Sequence, residues 1–147
     1  LVHRVVGLVV ARGIQVQHFL LGHGGQGARG GGAGKVNIQD LSLTKYVDKA
    51  SPNLMMHCAS GKHIDKVKLT VRKAGGESQV EYMIIDLEEV LITSLSTGGS
   101  GSDDRLTENI TLNFAQVMVE YQPQKADGTK DGGPIKYGWN IRSNTKR

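Results

Sequence analysis

The chain has 147 residues, a formal net charge of +4, 38% hydrophobic residues, 20 glycines and one cysteine. That length suits one domain built on a single core, and no apolar run approaches the roughly 20 residues that a membrane-spanning helix needs. Cys58 leaves no partner for an intramolecular disulfide or a cysteine-based metal site, so the fold is expected to stand on packing alone.

Charge is distributed unevenly. Leu1 to Lys35 holds Arg4, Arg12, Arg29 and Lys35 and no acid; of the 18 basic residues, 14 remain to balance the 14 acids from Val36 onward. A neutral body with few aromatics is not what nucleic-acid recognition requires, and no nucleic-acid partner is expected. The longest apolar run, Val5 to Ala11, ends at Arg12 and is too brief for a signal-peptide core with a cleavage site.

In chain order, Val5 to Val10 and Ile14 to Leu21 can form two strands about Ala11-Arg12-Gly13, with Ile14, Val16 and Leu20 on one face and Gln15 and Gln17 on the other. A glycine-rich loop, Gly30-Gly31-Gly32-Ala33-Gly34-Lys35, follows. One short helix is predicted from Ser51, a capping residue, through Pro52, which suits a first helical position, to Gly61, which suits termination. Leu54, Met55 and Cys58 converge on one helix face, so Cys58 reads as a small buried apolar residue and not as a nucleophile.

Strands dominate the rest. Val67, Leu69 and Val71 alternate with Lys66, Lys68, Thr70 and Arg72, which gives one core face and one solvated face; Lys73 extends the basic row. After the turn signal Gly75-Gly76, a second strand from Gln79 carries Val80, Tyr82 and Ile84 on one side and Met83, Ile85 and Leu87 on the other. Apolar residues on both sides predict burial on both. The apolar set resumes at Val90 and Ile92, with Leu91 and Leu95 opposite, which predicts a bend or bulge at Glu88-Glu89. Gly98 to Asp104 reads as a flexible link. Ile110, Leu112 and Phe114 then give way to Val117, Val119 and Tyr121, a slip of one residue near Ala115-Gln116 that demands either a bulge or a change of packing partner. Asp127-Gly128 and Gly132-Gly133-Pro134 mark turns before a last strand, Ile135 to Ile141. The predicted class is all-β with one short helix, a two-sheet barrel or sandwich.

Chemical motifs fail on inspection. Gly34-Lys35 ends no phosphate-binding loop, because Arg29 stands where the first glycine belongs and Val36 where a hydroxyl would hold magnesium. Gly22, Gly24 and Gly27 have the spacing of a dinucleotide fingerprint, but no helical pattern follows. His57 and His63 straddle the helix end, and His18 and His23 lie on different sides of a strand and loop, so no metal set forms. Ser100 lacks the second glycine of a nucleophile elbow and precedes no helix. No catalytic, metal-binding or cofactor-binding residue is assigned, and no enzymatic activity is expected.

The order of motifs carries more information than any one of them. Gly30 to Lys35 leads into Val36-Asn37-Ile38-Gln39-Asp40, Leu43-Thr44-Lys45-Tyr46-Val47-Asp48 and Ser51-Pro52-Asn53-Leu54-Met55-Met56. Then come Arg72-Lys73-Ala74-Gly75-Gly76-Glu77, Ser96-Thr97-Gly98-Gly99-Ser100-Gly101, Arg105-Leu106-Thr107-Glu108-Asn109 and Lys136-Tyr137-Gly138-Trp139-Asn140-Ile141. Over roughly three quarters of its length the chain resembles the Hcp family, the haemolysin-coregulated tube proteins of bacterial type VI secretion. The resemblance implies a single β-barrel domain over residues 1–147 that closes into hexameric rings. Those rings stack into a tube, driven out by a contracting sheath behind a spike, whose lumen carries and chaperones small effector proteins. It also implies synthesis in the bacterial cytoplasm and export through the type VI apparatus, with no cleavable signal peptide and no membrane insertion. In relatives the glycine-rich loop extends toward the neighbouring ring, which makes Gly30, Gly31, Gly32, Ala33, Gly34 and Lys35 the candidate inter-ring element. The alternative function is a secreted, soluble Hcp-like binding module that forms no tube.

Leu1 to Arg29 departs from the family. Two readings compete: a trimmed hairpin that keeps the barrel topology, or a segment read from a shifted frame, whose acid-free, glycine- and arginine-rich composition gives way abruptly to family-like sequence.

Overall fold

The computed structural model describes residues 15–18, 21–23, 36–72 and 81–147. The expectations for Val5–Val10, Gly30–Lys35, Lys73, Gly75-Gly76, Gln79 and Val80 lie outside them. Among the described residues there are ten strands and one helix: β1 (Gln15–His18), β2 (Leu21–His23), β3 (Val36–Ile38), β4 (Leu41–Tyr46), α1 (Ser51–Ser60), β5 (Ile64–Arg72), β6 (Glu81–Gly98), β7 (Thr107–Asn113), β8 (Gln116–Tyr121), β9 (Ile135–Asn140) and β10 (Thr145–Lys146). Every pairing is antiparallel. The all-β class with one short helix is therefore as the sequence predicts.

The chain divides into two compact units, and β6 contributes to both. In one, β5, the first half of β6, β8, β9 and β10 lie side by side in that order. Its core is the alternating set Val67, Leu69, Ile85, Leu87 and Val117, with Ile64 and Val90. Each such side chain contributes about 1.5–3 kcal/mol on leaving water. Tyr82 and Ile84, on the opposite face of β6, are only half-buried, so burial on both sides is not what forms. That face is occupied instead by cross-strand ion pairs: Lys66–Glu88, Lys68–Asp86, Arg72–Glu81 and Lys136–Glu120.

The other unit orders β1, β4, β7 and the second half of β6, with β2 and β3 as a separate pair. Leu41, Leu43, Ile92, Ile110, Leu112 and Phe114 form its core. The segment Ile14–Leu21 thus contributes a strand at Gln15–His18, and it pairs with β4.

The bend predicted at Glu88-Glu89 is present. Leu87 and Val90 are both fully buried although three residues apart, and Glu89, with φ of 53°, takes up the odd residue. A second irregularity, unforeseen, lies between Ile92 and Ser94 in the β6–β7 register. There Thr93 donates to Asp40 Oδ2 at 2.8 Å, and Asn113 Nδ2 donates to Asp40 Oδ1 at 2.8 Å. Past Phe114 the predicted slip is resolved by breaking the chain into two strands that change partner. β7 lies between β4 and β6, and β8 between β6 and β9. Ala115 hinges the change by donating to Glu88 O and accepting from the Ile141 amide. The last strand stops at Asn140, one residue early, because residues 141–144 turn through Asn144, at φ of 55°, into β10.

Candidate assembly surfaces

The helix is anchored by a buried polar cluster. Lys45 Nζ reaches Glu108 Oε1 at 2.7 Å and Asp48 Oδ1 at 3.0 Å, with Lys45 4% and Glu108 0% exposed. Ser51 is 1% exposed; its hydroxyl donates to Glu108 Oε1 at 2.9 Å and accepts from the Asp48 amide at 3.0 Å. The expectation that Ser51 caps the helix is therefore corrected. Ala50 occupies the cap position without a side-chain hydrogen bond, and the Ser51 hydroxyl is committed to Glu108. Asp48 instead accepts from the Ala50 amide at 2.8 Å, and the Lys45 ammonium beside it holds its carboxyl below the ordinary range. Pro52 and the left-handed Gly61, φ 63°, stand where predicted.

Ser51 is the helix's only buried residue. Leu54 and Cys58 are half-buried, and Met55 and Met56 are 42% and 66% exposed. The buried Cys58 expected from periodicity is corrected to a half-buried one: a 10-residue helix tethered by a polar cluster leaves much of its apolar face open. His57 Nδ1 donates to Asn53 O at 2.8 Å, a local helix contact. Among the described residues no group of three His, Cys, Asp or Glu is placed to hold a metal ion.

Gly98 to Asp104, expected as a flexible link, holds a hydrogen-bonded turn around Ser100 and Asp103. Asp103 Oδ2 accepts from the Ser100 amide at 2.7 Å and from its hydroxyl at 3.0 Å, and those bonds depress the Asp103 pKa. Ser100 is thereby engaged as a turn residue. Leu106, half exposed, packs against Gly99, where an added Cβ would lie 2.7 Å from Leu106 Cδ2. The Arg105 guanidinium lies 4.8 Å over the exposed Tyr46 ring.

The candidate loop Gly30 to Lys35 lies outside the described residues, but its anchors do not. β2 and β3 pair with His23 opposite Val36, so the segment from Gly24 to Lys35 connects two hydrogen-bonded strands. Sequence reasoning missed the exposure of Tyr121, Ile135 and Tyr137 on β8 and β9: alternation placed Tyr121 with Val117 and Val119, and Ile135 and Tyr137 were assigned to a strand without a face.

Among the described residues Tyr46, Met55, Met56, Leu106, Tyr121, Ile135 and Tyr137 are large apolar or aromatic side chains left exposed. Comparison with known proteins identifies the class. The family model described as "Type VI secretion system effector, Hcp" matches residues 12–121. Protein hcp1 of Pseudomonas aeruginosa is 75% identical over 112 residues, which is 76% of this chain and 69% of that protein. A solved structure of a type six secretion system protein matches with a TM-score of 0.77 at 29% identity, over 90% of this chain and 85% of that one. Hcp1 of Salmonella typhimurium matches with a TM-score of 0.70 at 30% identity, over 91% and 83%. The chain belongs to the Hcp family of type VI secretion proteins.

Proposed function

We propose that this protein is the structural subunit of a type VI secretion tube. Copies close into hexameric rings, rings stack, and the lumen carries small effectors; sheath and spike proteins are the remaining partners. The 75% identity to protein hcp1 over 112 residues is the observation that carries this reading. The role is mechanical, not catalytic. A ring closed by rotation uses two different patches on each subunit, and stacking needs complementary top and bottom faces. In that role residues 1–147 act as one Hcp-like domain, made in the bacterial cytoplasm and exported through the type VI apparatus.

Gly30, Gly31, Gly32, Ala33, Gly34 and Lys35 form the stacking element in this account. The glycines permit close approach and positive φ, and Lys35 supplies a charge for an acid on the next ring. The test is negative-stain electron microscopy of the wild-type chain and of a variant shortened within Gly30–Gly34, with rings fixed by engineered cysteines at high protein concentration. Wild-type tubes and isolated variant rings support the reading. Tubes of equal number and length from both make the loop a passive connector. No rings from either favour a soluble binding module.

A further inference from the structure

The four methionines of the chain fall into two environments. Met83 on β6 and Met118 on β8 are half-buried, and each has a paired strand on both sides: Met83 lies opposite Val71 and Tyr121, Met118 opposite Asp86 and Gly138. Met55 and Met56 stand on α1, 42% and 66% exposed, adjacent in sequence and so about 100° apart around the helix. Access of a small oxidant to a thioether sulfur follows exposure, and the sulfoxide that forms is polar where the thioether was apolar.

What holds α1 in place decides what such a change does. Ser51 alone of its residues is buried, and the Ser51 hydroxyl donates at 2.9 Å to Glu108 Oε1, the oxygen that also takes the Lys45 ammonium at 2.7 Å. Within the helix, His57 Nδ1 donates to Asn53 O at 2.8 Å and the Ser60 hydroxyl to Met56 O at 2.7 Å. None of these contacts uses a methionine side chain. Oxygen added at Met55 or Met56 therefore removes little buried apolar contact and leaves the polar anchor intact. At Met83 and Met118 more of the side chain is covered, and the same oxygen would enter the packing of the sheet as a poorly partnered polar group.

We propose that Met55 and Met56 form a reversible oxidation site, at which hydrogen peroxide turns the exposed face of α1 from apolar to polar without unfolding the protein. The sulfur lone pair attacks one peroxide oxygen and the O–O bond breaks. The departing hydroxide takes up the proton left on the transferred oxygen and leaves as water, so sulfur is oxidised and peroxide reduced. The proposal does not rest on the tube-subunit reading. The test treats the full chain with hydrogen peroxide, assigns each added oxygen to its sulfur by tandem mass spectrometry over a time course, and follows thermal unfolding of the same samples. A Cys58→Ser variant run in parallel keeps thiol oxidation out of both readouts. Met55 and Met56 should gain oxygen at least about 3-fold faster than Met83 and Met118, with the melting midpoint held until the second pair reacts. Methionine sulfoxide reductases A and B with a thiol reductant should return both side chains to thioethers in the folded protein. Met55→Leu combined with Met56→Leu should lose the fast uptake and keep the wild-type midpoint. Met83 or Met118 oxidised as fast as Met56, or a midpoint that falls as soon as Met55 and Met56 react, overturns the proposal.

Discussion

Replacing Lys45 by Met tests the buried polar cluster that ties α1 to β7. In the native protein Glu108 is fully buried, its Oε1 takes the Lys45 ammonium at 2.7 Å and the Ser51 hydroxyl at 2.9 Å, and Oε2 has no hydrogen-bond partner among the described residues. Removing Lys45 leaves a buried carboxylate held by one neutral hydrogen bond. Breaking such a pair from one side costs about 3–5 kcal/mol, a large part of a domain's stability. The companion variant Lys45→Met with Glu108→Leu removes both charges and should recover most of that loss, because a buried pair gains little net energy over apolar residues of similar size. Urea denaturation at neutral pH measures both. An NMR titration adds a signature independent of stability. Lys45 is the largest cause of the depressed Asp48 pKa, so Asp48 should titrate higher in Lys45→Met. Lys45→Met within about 0.5 kcal/mol of the parent, or a double variant as damaged as the single one, would refute the assignment of the cluster as a charge-compensated anchor.

Leu69→Ala and Phe114→Ala, at residues 1% and 4% exposed in the cores of the two units, should each cost about 2–5 kcal/mol in chemical denaturation; a change below about 0.5 kcal/mol would mean the strand phase is wrong. Half-buried Cys58 should react with a thiol reagent more slowly in the native protein than in denaturant, yet go to completion without unfolding; full protection would contradict its partial exposure. Glu88 is held below the ordinary carboxylate range chiefly by the Arg147 guanidinium, with contacts at 2.8 and 3.0 Å. Its folded pKa being depressed, its contribution is present above the unfolded value and lost as pH falls through the folded one. Arg147→Ala should raise the Glu88 midpoint in an NMR titration, and an unmoved midpoint would show that the last residues do not lie on β6.

Strand phase was legible wherever one face is core and the other wet. Val67, Leu69 and Val71, and likewise Ile110, Leu112 and Phe114, alternate as a period of two requires, and the break at Glu88-Glu89 announced itself as a slip in that alternation. The helix ends were legible from Pro52 and Gly61 because both act through local backbone geometry. Ser51 misled because a hydroxyl before a helix has two uses, and the choice was made by Glu108, 57 residues away. Exposure of Tyr121 and Ile135 was hidden for a related reason: alternation tells which side of a sheet a residue faces, not whether anything covers that side. The β10 strand, with two polar residues, carries no periodic signal, and its partner Trp139 is set by the turn at Asn144.

The central claim is that copies of this chain form closed six-membered rings. Size-exclusion chromatography with light scattering measures it directly. The account predicts a species of six times the 15.8 kDa chain mass, growing in population with concentration, while a chain mass of 15.8 kDa that persists at the highest concentration would contradict it.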